Sequence, residues 1–281
     1  MEQLPRLQAR ISSLQELRDL FRALRALAAS HVQEAQNALA GIRRYVEVVD
    51  DAIAEGAALL PEADGPVASS QPSAASVLIV VCSEHGFVGA FNERLLDRAE
   101  AERKEGQDLV VIGGRGAILA AERGLEVDRG FPMATHVGGV LGVTRRVAEH
   151  LAAISTADAV FGRYRRGGNF ETEARSILPL DPALLVGSER RSPPLHHLAP
   201  DVLLQQLASE YLFAEITRAV MESLASENGA RLRVMETADH NIGDKLEGLR
   251  RSENALRQEA ITSELLDVVT GSEAILGSAG S

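Results

Sequence analysis

The sequence predicts an α/β protein in which two long helices, one from each end of the chain, pair as an antiparallel coiled coil and a Rossmann-like α/β domain lies between them. Three observations carry this. Both ends are long, proline-poor and apolar at heptad spacing. The middle alternates short apolar runs with helical intervals. A stretch rich in Pro, Ser, Ala and Gly separates the first end from the middle.

The first element occupies residues 1–59. No proline follows Pro5 until past Gly56, and Gly41 costs only about 1 kcal/mol inside a helix. Leu7, Leu14, Phe21, Ala28, Ala35, Ile42 and Val49 form one heptad row. Ile11, Leu17, Leu24, Val32, Leu39, Val46 and Ile53 fill the row beside it, which shifts by one position midway and leaves an imperfect seam. At 1.5 Å per residue such a helix runs roughly 75 Å, longer than a small domain is wide. An apolar stripe of that length needs a partner helix.

Residues 60–76 read as a linker, and residues 77–190 as the α/β domain. Val77–Cys82 and Leu109–Ile112 are apolar on both faces, as strands buried in a parallel sheet must be. Ala157–Tyr164 repeats the pattern, and Thr172–Leu178 is a further strand. Helical intervals fall at Asn92–Lys104, Arg115–Arg123 and Gly142–Ile154, so a mostly parallel sheet with crossovers is expected. The last element, 191–281, begins after the proline-containing stretch Leu180–Pro200 and holds a helix from Asp201 to near Glu273. Leu207, Ala214, Met221, Met235, Ile242, Leu249 and Leu256 share its heptad row, with Asn228 at one place in the series, either facing solvent or fixing register. Neither long helix has a partner nearby in sequence, so each most simply satisfies the other.

Composition narrows the function. The 281 residues carry 40 acidic and 29 basic side chains, a formal charge of −11, which argues against nucleic acid as the main partner. Trp is absent and Tyr and Phe are few, which disfavours a base-stacking platform. No apolar run approaches the roughly 20 residues that span a bilayer, so any membrane association is expected through a partner and not by direct insertion. The first ten residues lack the apolar core of a secretory signal. Cys82, the single cysteine, allows no intrachain disulfide and fits a reducing compartment.

Site by site, the chemistry is thin. The loop Ser83–Asn92 carries two glycines between a strand and a helix but matches neither G-x-G-x-x-G nor the P-loop, and Gly113–Gly116 is a turn of the same kind. His196 and His197 lack the spacing of a metal site. Cys82 reads as a packed thiol. Arg163, Arg165 and Arg166 beside Gly167-Gly168 suit either an acidic partner or a solvated hairpin tip. No catalytic, cofactor-binding or metal-ligating residue is expected.

Four segments nevertheless carry a pattern. Leu224–Ile275, with NALRQEAITSEL at its centre, resembles the last helix of the gamma subunit of F-type ATP synthases. RISSLQELRDLFRALRALAASHVQEAQ (Arg10–Gln36) resembles that family's first helix, while SEHGFVGAFN (Ser83–Asn92) and IGGRGA (Ile112–Ala117) resemble its turns after the first and second strands. The segments stand in the family's order and are spread over nearly the whole chain, from Arg10 to Ile275. Where the family carries basic clusters on the first helix, this chain has Gln15, Glu16 and Asp19, and Ser30-His31 where a lysine is usual. The departures mark a divergent member, of the kind found as an alternative, Na⁺-moving ATPase in some bacteria.

The resemblance implies a central-stalk rotor without catalytic residues. Its partners would be three alpha and three beta subunits, an epsilon subunit and the membrane ring of c subunits, at the cytoplasmic face of the inner membrane. It places contacts with the catalytic ring at Arg257 and Gln258, then Thr262 and Glu264, with Leu24 and Arg25 on the first helix. Contacts at the stalk base fall at Glu210 and Tyr211. Read from the residues alone, a ligand-binding α/β protein with helical dimerisation arms stays open, as does a coiled-coil adaptor.

Overall fold

The computed structural model describes residues 3–57, 59, 75–152, 154–181, 184 and 197–278. The elements are α1 (Gln3–Ala57), β1 (Ser76–Val81), α2 (Phe91–Glu102), β2 (Asp108–Ile112), α3 (Gly114–Glu122), β3 (Arg129–Phe131), α4 (Val140–Leu151), β4 (Thr156–Arg165), β5 (Asn169–Leu178) and α5 (Pro200–Ser278). Every expected helix and strand is present, with bounds displaced by a few residues. The short β3 was not foreseen: three residues, with Gly130 at the centre, carry no periodicity to read. Of the expected linker, 60–74 lies outside the described residues, as do His196 and most of Leu180–Pro200.

By contact the chain forms two compact units, residues 27–234 and residues 1–26 with 235–281. The larger holds a five-stranded sheet in the order β3-β2-β1-β4-β5, parallel except that β5 runs antiparallel to β4. Ile79 is paired with Val110 on one side and Ala159 on the other, which places β1 at the centre. One face of the sheet, with Val77, Ile79, Val81 and Phe161, packs on α1 from Ala35 to Ile53, on α4, and on α5 from Tyr211 to Ala225. The other, with Leu78, Val80, Val111 and Val160, packs on α2 through Phe91, Leu95 and Leu96. Helices on both faces explain why the strands are continuous apolar runs without alternation.

The turns close on themselves. Ser83 N donates to Asn92 Oδ1 at 2.9 Å and Asn92 Nδ2 donates back to Ser83 Oγ at 2.8 Å, so the loop after β1 is bolted to the first turn of α2. Gly113 has φ 115°, and a Cβ there would fall 2.6 Å from the carbonyl oxygens of Cys82 and Ser83. Glycine is required on both counts. Glu84 then reaches across, its Oε2 accepting from Gly114 N at 3.0 Å and Met133 N at 2.7 Å. A carboxylate at the first N–H groups of α3 is favourable by hydrogen bond and by helix dipole together.

In the smaller unit α1 and α5 run antiparallel: Gln8 donates to Glu253 and Arg18 to Asp239, so ascending positions on one helix meet descending positions on the other. Ile11, Ile242 and Leu246 are buried there, flanked by Leu7, Leu14, Phe21 and Leu249. One seam residue is corrected. Leu17 is 40% exposed, and Arg18, which keeps strict heptad spacing from Ile11, takes the inward place. Leu24 is half-buried.

Two outcomes follow from this packing. Replacing Ile242 with Asp buries an unpaired charge and should lower the unfolding free energy by about 3 kcal/mol or more, against about 1 kcal/mol for Ile242→Val, as read by urea denaturation. Glu84→Ala leaves two backbone N–H groups unpaired at the α3 corner and should cost about 1–3 kcal/mol in the same assay, most of it recovered by Glu84→Gln.

Candidate functional site

In an open α/β sheet a ligand crevice forms at the carboxyl ends of the strands where the winding reverses, which here is between β1 and β4. The chain fills that crevice with its own last helix. Ser223 Oγ donates to Val81 O at 2.6 Å and accepts from Gly162 N at 3.3 Å, and Ser226 Oγ donates to Gly162 O at 2.8 Å. The fit is tight: a Cβ on Gly162 would lie 2.8 Å from the Phe91 ring and 3.0 Å from Ser226 Cβ. Gly229 lets α5 approach the β4–β5 hairpin, where a Cβ would meet Gly168 Cα at 3.0 Å. The other anion-binding prospect, the start of α3, already holds the Glu84 carboxylate. At both places the chain's own side chains stand where a ligand phosphate would bind.

The remaining titratable groups in the larger unit serve the fold. Burial pushes the Cys82 thiol up to about 12, so it stays protonated and inert, the packed thiol that was expected. Burial likewise pushes Glu227 up to about 7, opposed by Arg231, whose Nη2 lies 2.5 Å from Glu227 Oε1 and 3.5 Å from Gly86 O. That arrangement ties the loop after β1 to α5. Asn228 is buried, donating to Leu224 O and accepting from Arg231, so it neither faces solvent nor bonds across to α1. Arg163 and Arg165 pair with Glu173 and Glu171 across the hairpin, which gives these two arginines acidic partners within the chain. A cavity of about 620 Å³ lies along β5, lined by Glu173, Arg175, Pro179, Leu184 and Tyr211 among others. Arg175 there is held 3.2 Å from Glu215. Among the described residues no group of three or more His, Cys, Asp or Glu is placed to hold a metal ion.

The expected contact residues divide sharply. Arg257, Gln258, Thr262 and Glu264 lie exposed within two turns of α5 in the smaller unit. Arg257 donates to Glu253 Oε1 at 3.0 Å, an atom that also accepts from Gln8, and Thr262 Oγ1 donates to Gln258 O at 2.9 Å. Leu24 and Arg25 are not brought to them: Arg22 bonds Asp239, so these residues stand near the opposite end of the same unit. Glu210 is exposed and accepts from the Tyr45 hydroxyl. Tyr211, expected at a partner contact, is corrected. It is 2% exposed, and its ring fills core between α5 and the sheet, where burial pushes its phenol above the usual value. Adjacent residues on a helix point about 100° apart, which lets Glu210 face outward while Tyr211 turns into the core.

Sequence reasoning missed one exposed feature. Ile261, Leu265, Leu266, Val268 and Val269 are 51–69% exposed, beyond the part of α5 that meets α1. A heptad count could have found them, since the seam positions stop at Leu256 while apolar residues continue.

Comparison with known proteins accords with this geometry. The ATP synthase gamma chain of Bdellovibrio bacteriovorus is 26% identical, covering 99% of this chain and 100% of the relative. That of Anaeromyxobacter sp. is 27% identical over 95% of this chain and 97% of its own length. Among solved structures, a chain of the Euglena gracilis mitochondrial ATP synthase, OSCP/F1/c-ring, superposes with a TM-score of 0.66 at 14% identity, covering 97% of this chain and 94% of that one. A chain of that organism's ATP synthase rotor gives 0.59 at 13%, covering 92% and 98%; at such identities the likeness is one of fold. The family model described as ATP synthase matches residues 3–275, and with these relatives aligned end to end the chain belongs to the ATP synthase family, among its gamma chains.

Proposed function

We propose that the chain is the central-stalk rotor subunit of a rotary ATP synthase, passing torque between an ion-translocating membrane ring and a catalytic hexamer of alpha and beta subunits. Family membership over residues 3–275 carries the reading. The geometry supports it from the other side, because the crevice where the winding of the α/β sheet reverses is occupied by α5. Hydrolysis and synthesis of ATP belong to the partners, and this chain supplies shape and stiffness. A helix pair with no proline beyond the first turn of either helix resists bending, and an uneven surface lets one shaft present different contacts to three otherwise equivalent partners.

The chain meets the membrane only through its partners on this reading, since no described helix is long and apolar enough to cross one. The membrane ring and epsilon subunit would hold the base, with Glu210 as a contact, and the assembly would sit at the cytoplasmic face. The catalytic hexamer would receive the exposed α5 segment. Its row of uncovered apolar side chains from Ile261 to Val269 is larger than a solvated helix normally shows, and a surrounding partner accounts for it. Arg257 and Gln258, with Thr262 and Glu264, would meet polar loops of that hexamer, and Leu24 with Arg25 would form a separate patch.

The test is an assembled, purified complex carrying Arg257→Ala and Gln258→Ala. A charge-assisted hydrogen bond from the guanidinium is worth roughly 1.5–3 kcal/mol, enough to bias one of three angular positions. Turnover, or the ratio of ion pumping to ATP hydrolysis, should fall while assembly is intact. Unchanged rates would remove these residues as a rotor contact, and ATP hydrolysis by the purified chain alone would overturn the non-catalytic reading.

A further inference from the structure

Hydrophobic packing in the smaller unit does not by itself choose one register. Ile11, Ile242 and Leu246, with Leu7, Leu14 and Leu249 beside them, are aliphatic side chains of one size, only Phe21 differing, and one aliphatic layer of an antiparallel pair can slide onto the next. Arg18 breaks that equivalence. It occupies a strict heptad place on α1, its side chain only 31% exposed, and its Nε donates to Asp239 Oδ1 at 2.7 Å. Arg22, one turn on, donates its Nε to the same oxygen at 3.2 Å. The hydrogen bond from Arg18 and the two neighbouring charges hold the Asp239 carboxyl below its ordinary range, so it is ionised under neutral conditions.

A second observation shows that α5 is shaped for this fork. A Cβ placed on Gly243 would lie 3.2 Å from Arg18 Nη2 and 3.6 Å from its Cζ. Gly243 sits inside a helix without positive φ, so the backbone does not demand glycine there. The residue gives up about 1 kcal/mol of helix propensity relative to alanine, and what it leaves open is room for the guanidinium. A slip of one heptad would set Arg18 against Leu246, which is 2% exposed, and leave the charge without its carboxylate.

We propose that the Arg18–Asp239–Arg22 fork, seated over Gly243, locks the register of this helix pair within the smaller unit, as Arg43–Glu222 ties α1 to α5 within the larger, and thereby positions the exposed Arg257 and Gln258. Arg257 stands eighteen residues beyond Asp239, which is five turns at 3.6 residues each, so it shares that face of α5 at about 27 Å along the axis. Gln8 makes a second tie across the pair, donating at 3.0 Å to the same Glu253 oxygen that receives Arg257. A slip of α1 would carry Gln8 away and change both the height and the partner of the Arg257 side chain. The lock stands on the geometry alone; its consequence for Arg257 and Gln258 rests on the rotor reading.

Paired cysteines in the full chain read the register directly. Leu7→Cys with Leu249→Cys reports the native pairing, and Leu14→Cys with Leu249→Cys reports a slip of one heptad. In the otherwise unchanged chain the first pair should oxidise to a disulfide and the second should not. Adding Asp239→Leu should raise the slipped product at least about tenfold relative to the native one, as loss of a register-fixing polar layer does, whereas Asp239→Glu should leave the native product alone. Should Asp239→Leu abolish helicity, the charge-exchanged chain Arg18→Glu, Arg22→Glu, Asp239→Arg decides: native cross-linking alone supports the lock, and mixed products overturn it. A native-only product from a helical Asp239→Leu chain also overturns it. In the assembled complex Asp239→Leu should lower the ratio of ion pumping to ATP hydrolysis. A slipped register with an unchanged ratio would keep the lock and refute its positioning role for Arg257 and Gln258.

Discussion

Every residue of α5 from Ala219 to Ala230 is buried, and the rest of the larger unit is arranged around that fact. A helix buried on all sides for three turns must touch its surroundings everywhere, so its small residues fall where backbone approaches backbone. Ser223 and Ser226 bond Val81 at the end of β1 and Gly162 within β4, and Gly229 lies against Gly168 of the hairpin. Glycines 162, 168 and 229 are one fitted set, and a methyl group on any of them would collide with another part of the set or its neighbours. The seating of α5 is also why an α/β sheet with a conventional crevice has no described ligand site there. The helix takes the place, and the hydrogen bonds, that a small molecule would need.

The acidity of the chain is partly internal. Glu222 is 4% exposed, yet its oxygens accept from Arg43 at 2.6 Å and from Tyr164 N at 3.1 Å, which pins α1 to α5 and α5 to β4. Glu84 caps α3 and holds Met133 N, and Glu227 pairs with Arg231 beneath the loop after β1. A lone buried carboxylate would be costly, but each of these meets a guanidinium or backbone N–H groups, and each joins elements far apart in sequence. Net charge alone could argue only about partners, whereas these side chains act as joints.

Beyond the segments that pack on the sheet, the long helices change character. In the smaller unit they share a single stripe, made of a few aliphatic layers interrupted by Arg18 and Asp239. Past Leu256 the described positions of α5 are exposed, apolar ones included. One continuous helix thus offers three surfaces in turn: a fully buried one, a one-sided one and an uncovered one. That gradation suits a shaft anchored in its own domain and read by other subunits.

Much of this was legible in the residues. Heptad spacing and the absence of proline foretold both long helices and their antiparallel pairing, because a 3.6-residue period is visible locally however far away the partner lies. Val77–Cys82 and Leu109–Ile112 announced buried parallel strands for the same reason, and NALRQEAITSEL carried the family. Other features had no local signal. The three-residue β3 exists because Gly113 and Glu84 bring it beside β2. Leu17 and Arg18 exchanged their expected places because a carboxylate more than two hundred residues away made the arginine the better seam residue. Tyr211 turned inward because only the assembled sheet shows which side of α5 is core. Composition, period and motif belong to the chain by itself; which face is buried, which charge finds a partner and which crevice is filled depend on contacts between distant segments, and only the tertiary structure decided them.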